Sequence, residues 1–151
     1  MFRSIVVGTD GSDGAAIAVA TAAHLAKGSG ATLHIATVGG AATSAMLGDP
    51  LAGAAAMSVA ADETRDELAT IVERAAEPAQ AEGITVATHA LVGSAAQALC
   101  DLAERVAADL LVVGNRGLNS LAGRLLGSVP SAVSHRAGCD VLIVHTTDGG
   151  R

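Results

Sequence analysis

Close to its C-terminus the chain reads Gly114-Asn115-Arg116-Gly117, then nine residues, then Gly127-Ser128, all directly after the apolar run Leu110-Leu111-Val112-Val113. That order describes a cradle for phosphate. A strand ending in glycine admits a ligand where a Cβ would collide, and a second glycine can take positive φ and turn the loop. The third glycine opens a helix, whose first N–H groups are unpaired and whose end carries about half a positive charge. The main chain of Gly127, Ser128 and Val129 therefore offers donors to an anion, and Arg116 adds a full charge. The same residues would also serve a plain turn, with Ser128 an ordinary N-cap and Pro130 in the first helical turn. The succession of strand end, glycine loop and helix start with a hydroxyl favours the cradle.

A second group of polar residues stands near the N-terminus, where Val7-Gly8-Thr9-Asp10-Gly11-Ser12 puts a carboxylate between a strand and a helix. In open parallel sheets, ligands bind beyond the carboxyl ends of strands where the chain order reverses. If strands one and four are neighbours, Asp10 and Gly114 face one crevice. A carboxylate beside phosphates is repulsive, so Asp10 suits the nucleoside end, accepting from an exocyclic amine or a ribose hydroxyl. An Asx-turn leading into Ser12 as a helix cap accounts for Asp10 equally well.

The elements that must position these residues alternate. Short β-rich runs at Arg3 to Gly8, Ala31 to Val38, Thr85 to Val92, Leu110 to Gly114 and Asp140 to Thr146 are separated by helical patterns at about 13 to 27, 56 to 82, 94 to 107 and 128 to 137. Strand and helix in strict alternation predict a doubly wound α/β fold, a parallel sheet with helices on both faces. The second helix carries Thr64, Leu68, Ile71, Val72 and Ala75 on one face, leaving Asp62, Glu63, Asp66, Glu67 and Glu73 largely for solvent. Between strand two and that helix, Gly39 to Gly53 is a stretch of small residues expected to be a mobile loop. The last strand, Val141-Leu142-Ile143-Val144, would offer unpaired backbone groups to a second copy if it lies at the sheet edge, so a homodimer through strand five is expected.

Composition narrows the function. At 151 residues the chain fits one domain, read as 1 to 147 with a flexible tail at 148 to 151. Phe2 is the single aromatic and the formal net charge is −6, so the chain lacks stacking platforms and repels a phosphate backbone; nucleic acid is not expected as a partner. One nucleotide is still compatible, because a local cradle of N–H groups outweighs a screened surface charge. No signal-peptide h-region precedes strand one and no apolar run is long enough to span a bilayer, so a cytoplasmic protein without a membrane partner is expected. Cys100 and Cys139 form no CxxC pair and read as free thiols. His34, His89 and His145 are expected on strands and His24 and His135 on helices, partly buried and hydrogen-bonded. Their spacing matches no metal motif, and no protein-held metal is expected.

These residues resemble the universal stress proteins of the ATP-binding type. Their signature of Gly, two residues, Gly, nine residues, Gly, then Ser or Thr is matched by Gly114, Gly117, Gly127 and Ser128, and Ile5 to Ser12 is similar to the family's first strand and Asp-Gly-Ser turn. The resemblance covers the whole chain. It implies an adenine nucleotide alpha hydrolase-like fold with strand order 3-2-1-4-5, a symmetric dimer through strand five, and an adenine nucleotide between strands one and four. Carried over residue by residue, Asp10 would approach adenine or ribose, and Val38 would meet adenine through its backbone. Val113 and Gly114 would border the site at the end of strand four, with Gly114 at the ribose. Arg116, Gly117, Gly127, Ser128 and Val129 would hold phosphates. The stretch from Leu111 to Gly117 and from Gly123 to Pro130 also looks like an actinobacterial branch known to bind cyclic AMP, which makes ATP, with Mg2+ on its phosphates, and cyclic AMP both ligand candidates.

Three functions fit this reading: a regulatory or nucleotide-sequestering stress module, a slow ATPase or nucleotidyl transferase, and a dimeric scaffold acting through its surface. The loop lacks the lysine of Gly-x4-Gly-Lys-Ser/Thr and no acid pair stands near it to hold a metal or activate water, which favours the binding module over the enzyme. The intact glycine motif favours it over the scaffold.

Overall fold

The computed structural model describes residues 1–40, 50–115 and 127–146, with the backbone alone over 50–63. Five strands, β1 (Ser4–Gly8), β2 (Thr32–Gly39), β3 (Val86–Val92), β4 (Leu110–Gly114) and β5 (Asp140–Val144), alternate with four helices, α1 (Asp13–Ser29), α2 (Pro50–Ala81), α3 (Ala95–Arg105) and α4 (Ser128–Arg136). The sheet is parallel throughout, in the order β3-β2-β1-β4-β5. The doubly wound α/β fold expected from the sequence is the fold observed.

Side-chain alternation sorts the core into two layers. Ile5 and Val7, Leu33 and Ile35, and Leu110 and Val112 point to the face covered by α1 and α2, where Ala18, Ala22, Val72 and Ala76 pack against them. Val6, Ala36, Leu111 and Val113 point to the other face and meet Leu99, Leu102 and Val133 of α3 and α4. Near-continuous aliphatic runs form the central strands because both faces of a parallel sheet are covered. The nearly aromatic-free composition suits this, since alanines let the helices lie close to the sheet. On α2 the anticipated faces hold: Leu68 and Val72 are buried, whereas Asp66, Glu67 and Glu73 are exposed. Asp62 and Glu63 lie where the backbone alone is described.

Several boundaries differ from expectation. Helix α2 starts at Pro50, earlier than the sequence pattern placed it, so the small-residue stretch ends four positions before Gly53. Proline is favoured at the first helical position, where its missing N–H costs nothing, and the alanines that follow propagate the helix. Residues 41–49 of that stretch, and the tail at 148–151, lie outside the described residues. Strand β5 stops at Val144, leaving His145 just past the strand. His34 and His89 are half-buried and paired, as anticipated, but His24 and His135 are exposed on their helices. Cys100 and Cys139 are both free thiols, and burial pushes both above the usual thiol range. Among the described residues no helix is long and apolar enough to cross a membrane, and no group of three or more metal-ligating side chains occurs.

Candidate nucleotide site

The chain runs outward from β1 through β2 to β3 and then returns to place β4 on the other side of β1, so the order reverses between β1 and β4. Here β1 keeps pairing with β2 to Gly8↔Ala36, while its pairing with β4 stops at Val7↔Val112. The two strands part just before Asp10 and Gly114. A crevice outside the strand ends, at this switch point, is where open α/β sheets take ligands.

The turn after β1 is held by its own polar groups. The Thr9 N–H donates to the Ala36 carbonyl at 2.8 Å, and the Thr9 hydroxyl oxygen accepts from the Gly11 N–H at 3.2 Å. Asp10 Oδ1 accepts from the Ser12 N–H at 2.9 Å, and Ser12 Oγ caps α1 by accepting from the Ala15 N–H at 3.2 Å. Gly11 makes the turn possible with φ +79, a conformation that L side chains rarely adopt. Gly8 provides the close approach beneath it: a Cβ there would stand 2.9 Å from Leu99 Cδ1. The Asx-turn account of Asp10 is thus realised, and it uses one oxygen. Asp10 is only partly buried, which leaves Oδ2 for a ligand donor.

Val38 lies beyond the last β2 residue paired with β1. Ala36 presents its carbonyl to β1, so by strand alternation Val38 turns its N–H and carbonyl the same way, past the point where β1 has ended. A donor and an acceptor separated by one residue's span suit the edge of a planar base.

On the β4 side, Gly114 ends the strand and Asn115 follows. Val113 turns its side chain away from the strand end: it is 3% exposed, in the α3/α4 core, so only its main chain can border the crevice. Strand parity directs it inward, which its neighbouring glycine conceals in the sequence. The Gly127 N–H donates to the Asn115 carbonyl at 3.1 Å, so that donor is spent on the fold rather than offered to an anion. Gly127 itself occupies the N-cap position of α4, with φ −60 and ψ 163 and no side-chain cap, and Ser128 is the first helical residue rather than the cap. The first intrahelical bond runs from the Ser131 N–H to the Gly127 carbonyl. The N–H groups of Ser128 and Val129 precede that ladder, and Pro130 has none. Two adjacent main-chain donors, an exposed Ser128 hydroxyl and the positive end of α4 make a terminus whose chemistry suits an anion. Arg116 and Gly117 lie outside the described residues.

The residue that reasoning from sequence left without a role is Asn115. Its main-chain N–H donates to the Val144 carbonyl at 2.8 Å, and its Oδ1 accepts from the Thr146 N–H and hydroxyl at 2.8 and 2.9 Å. It joins β4, the end of β5 and the start of α4. Its place between two motif glycines was the available signal.

Comparison with known proteins agrees with this architecture. The model of the Universal stress protein family matches residues 1–145. Universal stress protein Rv1636 of Mycobacterium tuberculosis H37Rv is 45% identical over 152 aligned positions, covering 97% of this chain and 98% of the relative. Universal stress protein YxiE of Bacillus subtilis is 36% identical, covering 95% and 99%. A crystal structure of a universal stress protein in complex with cAMP superimposes with a TM-score of 0.73 at 39% identity, over 97% of this chain and 98% of that one.

Proposed function

Because the chain belongs to the universal stress protein family, we propose that it binds an adenine nucleotide, cyclic AMP or ATP, at the β1/β4 switch point and acts as a regulatory or nucleotide-sequestering module. The observation that carries this reading is the start of α4: two main-chain donors and a hydroxyl at the switch point, tied by Gly127 and Asn115 to the end of β4. The similarity to a universal stress protein crystallised with cAMP supports adenine as the base.

In this reading Ser128 and Val129 hold a phosphate, with Arg116 and Gly117 joining them and Gly127 acting through the position of its peptide. Gly114, lacking a Cβ, borders the ribose. Asp10 Oδ2 accepts from ribose or adenine, and the Val38 main chain meets the base edge. The protein supplies binding and orientation. A divalent cation such as Mg2+ would arrive with the phosphates of ATP, since the residues described here provide no site of their own for it. Two copies associate through the open edge of β5, where Val141, Leu142, Ile143 and Val144 are only half-buried. Residues 1–147 act as one unit, in the reducing cytoplasm that two free thiols suit.

The test is calorimetry of nucleotide-stripped protein with cyclic AMP, and with ATP plus Mg2+, in one buffer. Saturable binding of either supports the reading, and tighter binding of cyclic AMP identifies a second-messenger sink or sensor. ATP tighter by tenfold, about 1.4 kcal/mol, identifies an ATP-dependent module in which the distal phosphates count. Binding of neither refutes the nucleotide site.

A further inference from the structure

The last strand and the phosphate-binding helix are joined through one side chain. The amide of Asn115 is oriented without ambiguity, because the Thr146 N–H can only donate and so faces Oδ1. Its Nδ2 then faces His145 Nδ1 at 3.1 Å and donates to it. Thr146 is itself backed by α1, since a Cβ on Gly14 would stand 3.3 Å from the Thr146 carbonyl oxygen. The Asn115 side chain is therefore anchored on two consecutive residues after β5, while its own carbonyl holds the Gly127 N–H.

We propose that Asn115 is the positioning residue of the phosphate end of the site: its side chain fixes the peptide whose carbonyl sets where the α4 N-terminus stands beside Gly114. This rests on the adenine-nucleotide reading above. The bond to Gly127 is a main-chain one, so the Asn115 side chain acts on it only through where it holds the Asn115 carbonyl. With the side chain cut to a methyl, Asn115 loses its three side-chain contacts and keeps only its N–H bond to the Val144 carbonyl, so its own carbonyl gains room to turn. Donors aimed at an anion act within narrow tolerances of distance and angle, so a small shift of the helix start is felt by phosphate. A nucleoside, which has no phosphate, is indifferent to it.

The experiment compares the affinities of cyclic AMP and adenosine by calorimetry for the wild type, Asn115→Ala and Thr146→Val, with amide exchange of ligand-free protein followed by NMR. Asn115→Ala is expected to weaken cyclic AMP by about tenfold or more while adenosine changes less than about threefold. The Gly127 amide should exchange about tenfold faster, with the Thr9 amide, bonded to β2, unchanged. Thr146→Val keeps the shape and removes one of the two donors to Oδ1, so it should move both readouts in the same direction by a smaller factor. Equal losses for the two ligands would mark general destabilisation and overturn the proposal, as would an unchanged Gly127 amide. If Asn115→Ala does not fold, Thr146→Val decides, and unaltered cyclic AMP affinity in that variant overturns the proposal. A wild type that binds neither ligand refutes the nucleotide reading, and this proposal falls with it. A wild type that binds both, beside an Asn115→Ala protein that binds both equally well, refutes the positioning role alone.

Discussion

Replacing Ser128 by proline removes a main-chain donor from the proposed phosphate site while leaving the helix that carries it. Ser128 is the first residue of α4, and its N–H lies ahead of the first intrahelical bond, from Ser131 to Gly127. Proline is well suited to that position: its fixed φ matches a helix start, and no ladder bond is lost. The preceding residue must be extended, and Gly127 already is, at φ −60 and ψ 163. The Ser128 side chain is exposed, so no core contact disappears. Stability should be unchanged or raised by about 0.4–1 kcal/mol through the stiffer unfolded chain. Ser128→Ala removes the hydroxyl and keeps the N–H, so the step from alanine to proline isolates the main-chain donor. A hydrogen bond to a charged group is worth about 1.5–3 kcal/mol, which converts to about 10- to 150-fold in affinity. Titration of cyclic AMP into both variants, with thermal unfolding as the control, measures that step. If Ser128→Pro is as stable as Ser128→Ala and binds cyclic AMP equally well, the N-terminus of α4 does not hold the phosphate.

Asp10→Ala should weaken cyclic AMP more than it weakens inorganic triphosphate, because Asp10 is assigned to the nucleoside end; equal losses in calorimetry would contradict that placement. Burial lowers the pKa of both His34 and His89, whose ring nitrogens lie 3.0 Å apart, and for His89 the charges of His34 and Arg105 lower it further. Below the ordinary histidine value of 6.5 the unfolded chain binds protons that the folded one resists, so stability should fall from pH 6.5 downward until the lowered folded values are passed. Thermal unfolding between pH 7.5 and 5 should register this, and His34→Gln should flatten the slope; an identical slope in that variant would refute the assignment. The Val144 carbonyl faces β4, so strand alternation turns the N–H of Ile143 to the open edge. Ile143→Pro thus spares the β4 pairing and should convert a dimer joined along β5 to monomer in sedimentation, whereas an unchanged oligomer would place the interface elsewhere.

Much of this fold was legible because local and long-range requirements coincide in the same residues. Ile5, Val6 and Val7 are aliphatic in succession because both faces of β1 are covered, and Ser12 begins α1 because its hydroxyl caps it. The expectation that Asp10 and Gly114 face one crevice rested on β1 and β4 being neighbours, and the strand order makes them so. Asp10 also shows how two accounts of one residue can both hold, since a carboxylate has two oxygens and the turn takes one.

What escaped the sequence depends on contacts between segments far apart in the chain. Ser128 was as good a cap by type as any serine, but the capping position fell to Gly127, whose N–H is drawn to Asn115. Strand β5 ended at Val144 instead of Thr146 because the Asn115 amide captures the Thr146 N–H, and a side-chain acceptor replaces the next rung of the ladder. Val113 was placed at the site by the resemblance, and side-chain parity, visible only in the sheet, sends its side chain to the core. The first two of these departures meet at Asn115. The glycines of the loop are recognisable because their function is the absence of a side chain, a property visible one residue at a time. Asn115 acts through what its side chain holds, and that becomes visible only when β5 lies beside β4. The variable positions inside a glycine-rich signature are therefore where a fold can tie a ligand loop to the rest of the sheet, and here the tie runs to the edge strand through which two copies are proposed to join.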